Sequence, residues 1–162
     1  MALPNNKKLS IIYTLKILQE FSDETHILTQ EDIRKILYSK YGMECERKSI
    51  GASIDSLIDC GYDIIKTPKG CFLASRELES SEITFLIDAI FSSKMISSKQ
   101  AKDLANKLSL FTSKYKRKKY NYLFKADEIS RSNNQQLFYN IDIINEAIEK
   151  NKQIKFTYNN TD

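Results

Sequence analysis

The stretch Glu46-Arg47-Lys48-Ser49-Ile50-Gly51-Ala52-Ser53-Ile54-Asp55-Ser56-Leu57-Ile58-Asp59-Cys60 decides how the chain is read. Ile50, Ile54 and Leu57 recur at helical spacing and form one apolar face. Gly61 follows as a C-cap, because glycine enters the left-handed region without steric cost. The other end is weakly specified, since neither Cys45 nor Glu46 is a favoured N-cap. With the apolar face turned inward, Arg47, Lys48, Ser49 and Ala52 remain on the first turn and the outward surface.

Upstream, Ile11, Leu15 and Leu18, with Ile12 beside them, predict a helix from Lys7 to Phe21. Thr29 opens a second helix, with Asp32 three residues on as an Asp variant of the capping box. Its apolar residues are Ile33, Ile36 and Leu37, and Tyr41-Gly42 should end it. Only Met43, Glu44 and Cys45 then separate helices two and three, so the two must pack at a steep angle. Downstream, Tyr62–Thr67 and Gly70–Leu73 are short β-prone runs around Pro68-Lys69-Gly70. They predict an antiparallel hairpin, too small to stand without the helices.

The next segment is again helical. Ser80 or Ser81 caps a fourth helix with the stripe Ile83, Leu86, Ile87 and Ile90. Ser97 and Gln100 box a fifth, with Ala101, Leu104, Ala105, Leu108 and Phe111 on one face. Residues 112–136 read as a polar connector in which Tyr120–Phe124 forms a short strand and Arg131–Gln136 a loop. A sixth helix is expected from Tyr139 to Lys150 through Ile141, Ile144 and Ile148. Ile154, Phe156 and Tyr158 then alternate with Lys155 and Thr157, a strand pattern. The turn-formers Asn159 and Asn160 have only Thr161 and Asp162 behind them, so the sequence is expected to be a fragment cut just inside its next domain. Pairing of Ile154–Tyr158 with Tyr120–Phe124 is the alternative, and would complete the chain.

Composition narrows the class. The 162 residues carry 41% hydrophobic side chains, four Gly and two Pro, which suits a packed domain and excludes a low-complexity chain. No stretch approaches the roughly 18 apolar residues of a membrane span, and the N-terminus is not a signal peptide. A cytoplasmic protein is expected. Net charge is +4, and the whole excess lies in residues 112–162, where Lys114, Lys116, Arg117, Lys118 and Lys119 cluster. Such a run either neutralises phosphates or forms a solvated turn. Cys45, Cys60 and Cys71 lack metal-site spacing and read as reduced thiols, and the single His26 reads as a surface loop residue. No catalytic motif, metal site or cofactor fingerprint is visible, so an enzyme is not expected and no cofactor is assigned.

The fold class is therefore mainly α with a small β hairpin (α+β), in outline a winged helix-turn-helix followed by a helical linker. In that outline, the 46–60 helix enters the major groove, with Arg47 and Lys48 as the best candidates for base or phosphate contacts. Ser49 and Ala52 lie beside them, Lys69 at the wing tip meets a neighbouring phosphate, and Thr29 and Gln30 offer another phosphate site at the start of helix two. The cluster Lys114–Lys119 supplies further candidate phosphate contacts. Against this, residues 1–75 hold ten basic and ten acidic side chains. A protein-interaction or dimerisation module that binds no DNA is the alternative.

Glu46-Arg47-Lys48-Ser49-Ile50, Gly61-Tyr62-Asp63-Ile64 and Pro68-Lys69-Gly70-Cys71-Phe72 resemble the bacterial transcriptional regulators that join a DeoR-like winged helix-turn-helix to a WYL domain. Ile141–Lys150 with Ile154–Tyr158 is similar to the opening helix and first strand of a WYL domain. The resemblance implies a winged helix-turn-helix over 1–75, a helical linker or dimerisation pair over 76–112, a basic connector over 113–136 and an incomplete WYL domain over 137–162. It implies double-stranded DNA as partner, a homodimer, and a small-molecule or nucleotide effector for the missing WYL region. Gly51, Ala52 and Ser53 depart from the pattern, since the family usually carries two arginines and an aspartate there.

Overall fold

A computed structural model describes residues 7–122 and 136–155 of the chain. Among them are seven α-helices and one antiparallel two-stranded hairpin, a mainly helical α+β fold. Helix α1 spans Lys7–Phe21, α2 Gln30–Tyr41 and α3 Arg47–Asp59. Strands β1 (Ile64–Thr67) and β2 (Gly70–Leu73) pair with Ile64 opposite Leu73 and Thr67 opposite Gly70.

The caps explain these boundaries. Thr29 Oγ1 accepts from the Asp32 N–H at 3.1 Å, and the Asp32 carboxylate accepts from the Thr29 N–H at 3.0 Å. Gly42, at φ 62°, turns the chain so that its N–H reaches the Tyr38 carbonyl. Helix α3 starts one residue later and ends one residue earlier than expected, because Glu46 and Cys60 are its half-in cap residues. Glu46 gives no side-chain cap, as its residue type suggested. Gly61 and Tyr62 close the far end, their N–H groups reaching the Ile58 and Leu57 carbonyls.

Helices α1, α2 and α3 enclose a core of Ile17, Leu18, Ile33, Leu37, Ile50, Ile54 and Leu57. Met43, in the link between α2 and α3, is fully buried there as well. The hairpin covers one side through Ile64, Cys71 and Leu73. Leu28 joins it from the far edge, exchanging two backbone hydrogen bonds of 2.9 and 2.8 Å with Cys71. This approach requires Gly70, where a Cβ would lie 2.3 Å from the Leu28 carbonyl oxygen.

Helices α4 (Ser80–Ser92) and α5 (Ser98–Ser109) form a second core from Ile83, Ile87, Phe91, Ile96, Ala101 and Ala105. The expected Ser97–Gln100 capping box is present. At α4 the cap lies earlier than expected: Glu79 occupies it and donates its N–H to Glu82 at 2.7 Å, leaving Ser80 inside the first turn. Phe111 falls beyond the end of α5 and is exposed, so it does not extend the helix's stripe. Helix α6 (Lys114–Arg117) and a 3-10 segment (Lys118–Tyr122) follow. A strand beginning at Tyr120 is thereby corrected: Tyr120 turns inward and is fully buried in the second core. Leu123, Phe124 and residues 131–135 lie outside the described residues.

The two cores meet at one corner. Ser22 accepts from the Leu73 N–H at 3.0 Å through its hydroxyl, and its carbonyl accepts from Arg76 at 2.6 Å. Asp23 is buried and accepts from Ser113 Oγ at 2.6 Å, across 90 residues of sequence. Burial alone would push the Asp23 carboxyl up, but hydrogen bonds from Ser113, His26 and Thr25 outweigh it and hold the group well below the ordinary carboxylate range. His26, expected as a surface loop residue, is partly exposed, lies 2.7 Å from Asp23 through Nδ1 and stacks on Tyr115 with ring centroids 3.4 Å apart.

Helix α7 runs from Leu137 to Glu149, two residues ahead of the expected start. Its stripe Ile141, Ile144 and Ile148 is exposed. Gln153, Ile154 and Lys155 are not in a strand, and Phe156–Tyr158 lie outside the described residues. No described helix is long and apolar enough to cross a membrane.

Candidate nucleic-acid interface

Three segments converge on one face: the start of α2, the start of α3 and the hairpin turn. Between them lies a cleft of about 480 Å³. Thr29, Gln30, Arg47 and Lys69 all line it, so four of the seven residues singled out on the N-terminal unit come together. The sequence separates them by up to 40 positions, and the packing of α2 against α3 with the hairpin alongside unites them. Lys48 and Ala52 are exposed and Ser49 half-buried along α3, outside the cleft's lining.

The start of α3 carries the positive side chains, where the unbonded N–H groups of a first turn add positive potential. Farther along α3, Lys66 of β1 pairs with Asp55, which links the hairpin to α3. Gly51 has a local explanation as well. A Cβ there would lie 3.0 Å from Gln30 Nε2, so the small residue lets the Gln30 amide rest against α3.

Glu31 and Lys66 line the cleft as well and were missed by sequence reading, and Glu31 is the one that contacts Arg47. Its Oε2 accepts from Arg47 Nε at 3.0 Å and lies 3.0 Å from an Arg47 terminal nitrogen. Arg34 grips the same carboxylate with two bonds of 3.0 and 2.7 Å. The Arg34 hydrogen bonds, helped by Arg47 and opposed by burial, hold Glu31 down at about 2, so it is ionised throughout the physiological range. The i, i+3 spacing of Glu31 and Arg34 was a visible signal on the helix surface, but nothing local linked Glu31 to Arg47.

The basic cluster is largely engaged by its own chain. Lys116 Nζ meets Glu24 at 2.9 Å, and Arg117 Nε donates to the Ser109 and Thr112 carbonyls at 3.1 and 3.3 Å. Lys114 lies over the Phe21 ring, 4.1 Å from its centroid. Lys118 and Lys119 are exposed. No cluster of three or more His, Cys, Asp or Glu that could hold a metal ion occurs among the described residues.

No family model, curated protein or solved structure matches this chain.

Proposed function

We propose that the chain is a cytoplasmic, homodimeric transcriptional regulator that reads double-stranded DNA with α3, its N-terminal unit acting as a winged helix-turn-helix and α4–α5 as the helical linker. The observation that carries this reading is the convergence of Arg47, Lys69, Thr29 and Gln30 on one cleft beside the start of α3. In this reading α3 enters the major groove by its first turn, where Arg47 and Lys48 reach base edges or phosphates. Ala52, small and exposed, lets the helix approach closely, with room for apolar contact to thymine methyl groups. Lys69 meets a phosphate from the hairpin tip, and Thr29 and Gln30 present another at the start of α2. Lys114, Lys116, Arg117, Lys118 and Lys119 are secondary candidates for phosphate contact. The WYL type of regulator is the family proposed, with a small-molecule or nucleotide effector for its remaining domain.

Selection of bound duplexes from a random library at two salt concentrations tests the reading. Enrichment of one sequence, with Arg47→Ala or Lys48→Ala losing about 1–3 kcal/mol at one base pair, is the expected result. Two carboxylate pairings, Glu31 on Arg47 and Asp55 on Lys66, favour a second reading as a protein-interaction module. Absence of duplex binding at low salt, together with a specific protein partner, selects that one.

A further inference from the structure

The guanidinium of Arg47 has two usable edges. One is the side edge of Nε and one terminal nitrogen, and the other is the end-on pair of terminal nitrogens. Glu31 occupies the side edge through a single oxygen, Oε2, with both contacts at 3.0 Å. The end-on edge therefore faces away from Glu31, and Arg47 remains two-thirds exposed, its side chain at 67%. Arg34 in turn fixes both carboxylate oxygens, so Glu31 is itself held. The result is a relay from Arg34 through Glu31 to Arg47, from the first turns of α2 to the first residue of α3.

We infer that Glu31 is a positioning residue that presents the end-on edge of Arg47 to a guanine while weakening the pairing of Arg47 itself with phosphates of unmatched DNA. This rests on the DNA-binding reading above and names the mechanism of discrimination at that site. A long, rotamer-rich side chain loses freedom when it binds, and a carboxylate that holds it in advance removes part of that loss. The end-on fork matches the O6 and N7 acceptors of guanine. The same carboxylate repels phosphate oxygens, and a cation already paired within the protein releases fewer counterions on binding. The two effects have opposite signs: Glu31 strengthens the matched complex and weakens the unmatched one.

Glu31→Gln in the full chain tests both at once, since it keeps the shape and removes the charge. Binding is measured at two salt concentrations to the duplex selected by the wild-type protein and to a shuffled duplex of equal composition. The selected duplex should weaken by about two- to tenfold, with the loss confined to one guanine position. The shuffled duplex should tighten by about two- to fivefold, and its salt slope should steepen by about 0.9. Arg34→Met, which keeps the Glu31 charge but removes the cation that holds and partly neutralises it, should weaken both duplexes, the opposite of Glu31→Gln on the shuffled one. Movement of both duplexes in one direction with Glu31→Gln, or no movement, overturns the positioning role and leaves DNA binding standing. Failure of the wild-type protein to enrich any duplex overturns the DNA reading and this inference with it.

Discussion

The unit from α1 to β2 and the unit from α4 to the 3-10 segment are both built from helices with one apolar face, yet they close their cores differently. The first closes on itself, with aliphatic side chains from three helices, a buried link residue at Met43 and a hairpin drawn in by Gly70 against Leu28. The second closes on a residue that looked like linker. Alanines at 101 and 105 let α4 and α5 approach, and Tyr120 fills the remaining space, with its hydroxyl 3.4 Å from the Ser80 carbonyl. Phe85, Met95 and Leu110 of this unit stay exposed. A polar, lysine-rich stretch is thus a structural part of the second unit, to which it contributes a fully buried aromatic side chain beside Phe91.

Tyr120→Ala should break this contrast most visibly. Removing a fully buried aromatic side chain costs about 3–5 kcal/mol, a large share of what a small unit can hold. Hydrogen exchange should show α4 and α5 losing protection while α1, α2 and α3 keep theirs. Equal loss in both units would mean that the two cores unfold as one body, and the contrast between them would be gone.

The corner at Asp23 is the next place to press. Asp23→Asn removes the charge that accepts from Ser113, Thr25 and His26, and should cost about 2 kcal/mol near neutral pH. The pH dependence has a definite sign. The carboxyl titrates lower in the folded protein than in the unfolded chain, whose value is about 3.9. Its stabilisation is present in full above the unfolded value and is lost as pH falls toward the folded one. Melting temperatures of wild type and Asp23→Asn should therefore differ most near pH 6 and converge as pH drops below about 4. Parallel curves down to pH 2 would place the stabilisation elsewhere.

What the sequence made legible follows the range of each interaction. Elements defined by spacing within ten or so residues were readable: α1, the Thr29–Asp32 box, the Gly42 and Gly61 turns, the Ser97–Gln100 box and the hairpin. Features that depend on partners far along the chain were not. Leu28 makes a single bridge to Cys71, too short for any alternation to announce it. Asp23 and Ser113 are ordinary polar residues until the fold joins them. Tyr120 failed for a different reason, since Tyr120-Asn121-Tyr122 has the alternation of a strand, while burial of Tyr120 in the second core is compatible with a 3-10 turn. The candidate interface was half legible in the same sense. Arg47 was nameable from the α3 pattern and Lys69 from the hairpin turn, but neither Lys66 nor the carboxylate that holds Arg47 was.

The capping boxes at Thr29 and Ser97 allow a matched comparison of the units. Thr29→Ala and Ser97→Ala each remove a side chain that accepts from an N–H of its helix's first turn, and each should cost about 1 kcal/mol. Only Thr29→Ala should also weaken DNA binding, because only that residue lines the cleft. Chemical denaturation and duplex titration of the same two variants measure both effects. Equal weakening of binding would show that the second unit contributes to the interface.

The smallest effect separates the two groups of lysines. Lys69 stands at the hairpin tip on the cleft, whereas the Lys116 amine is already paired with Glu24. An amine neutralised within the protein displaces few counterions from DNA, while an unpaired one displaces about one. Lys69→Ala should therefore reduce the slope of log affinity against log salt by about 0.9, and Lys116→Ala should leave it unchanged. The stability change for Lys116→Ala should stay below about 1 kcal/mol, as for other exposed ion pairs. A reduced slope for Lys116→Ala would mean that Glu24 gives up its partner to a phosphate, adding the corner between the units to the proposed DNA-binding surface.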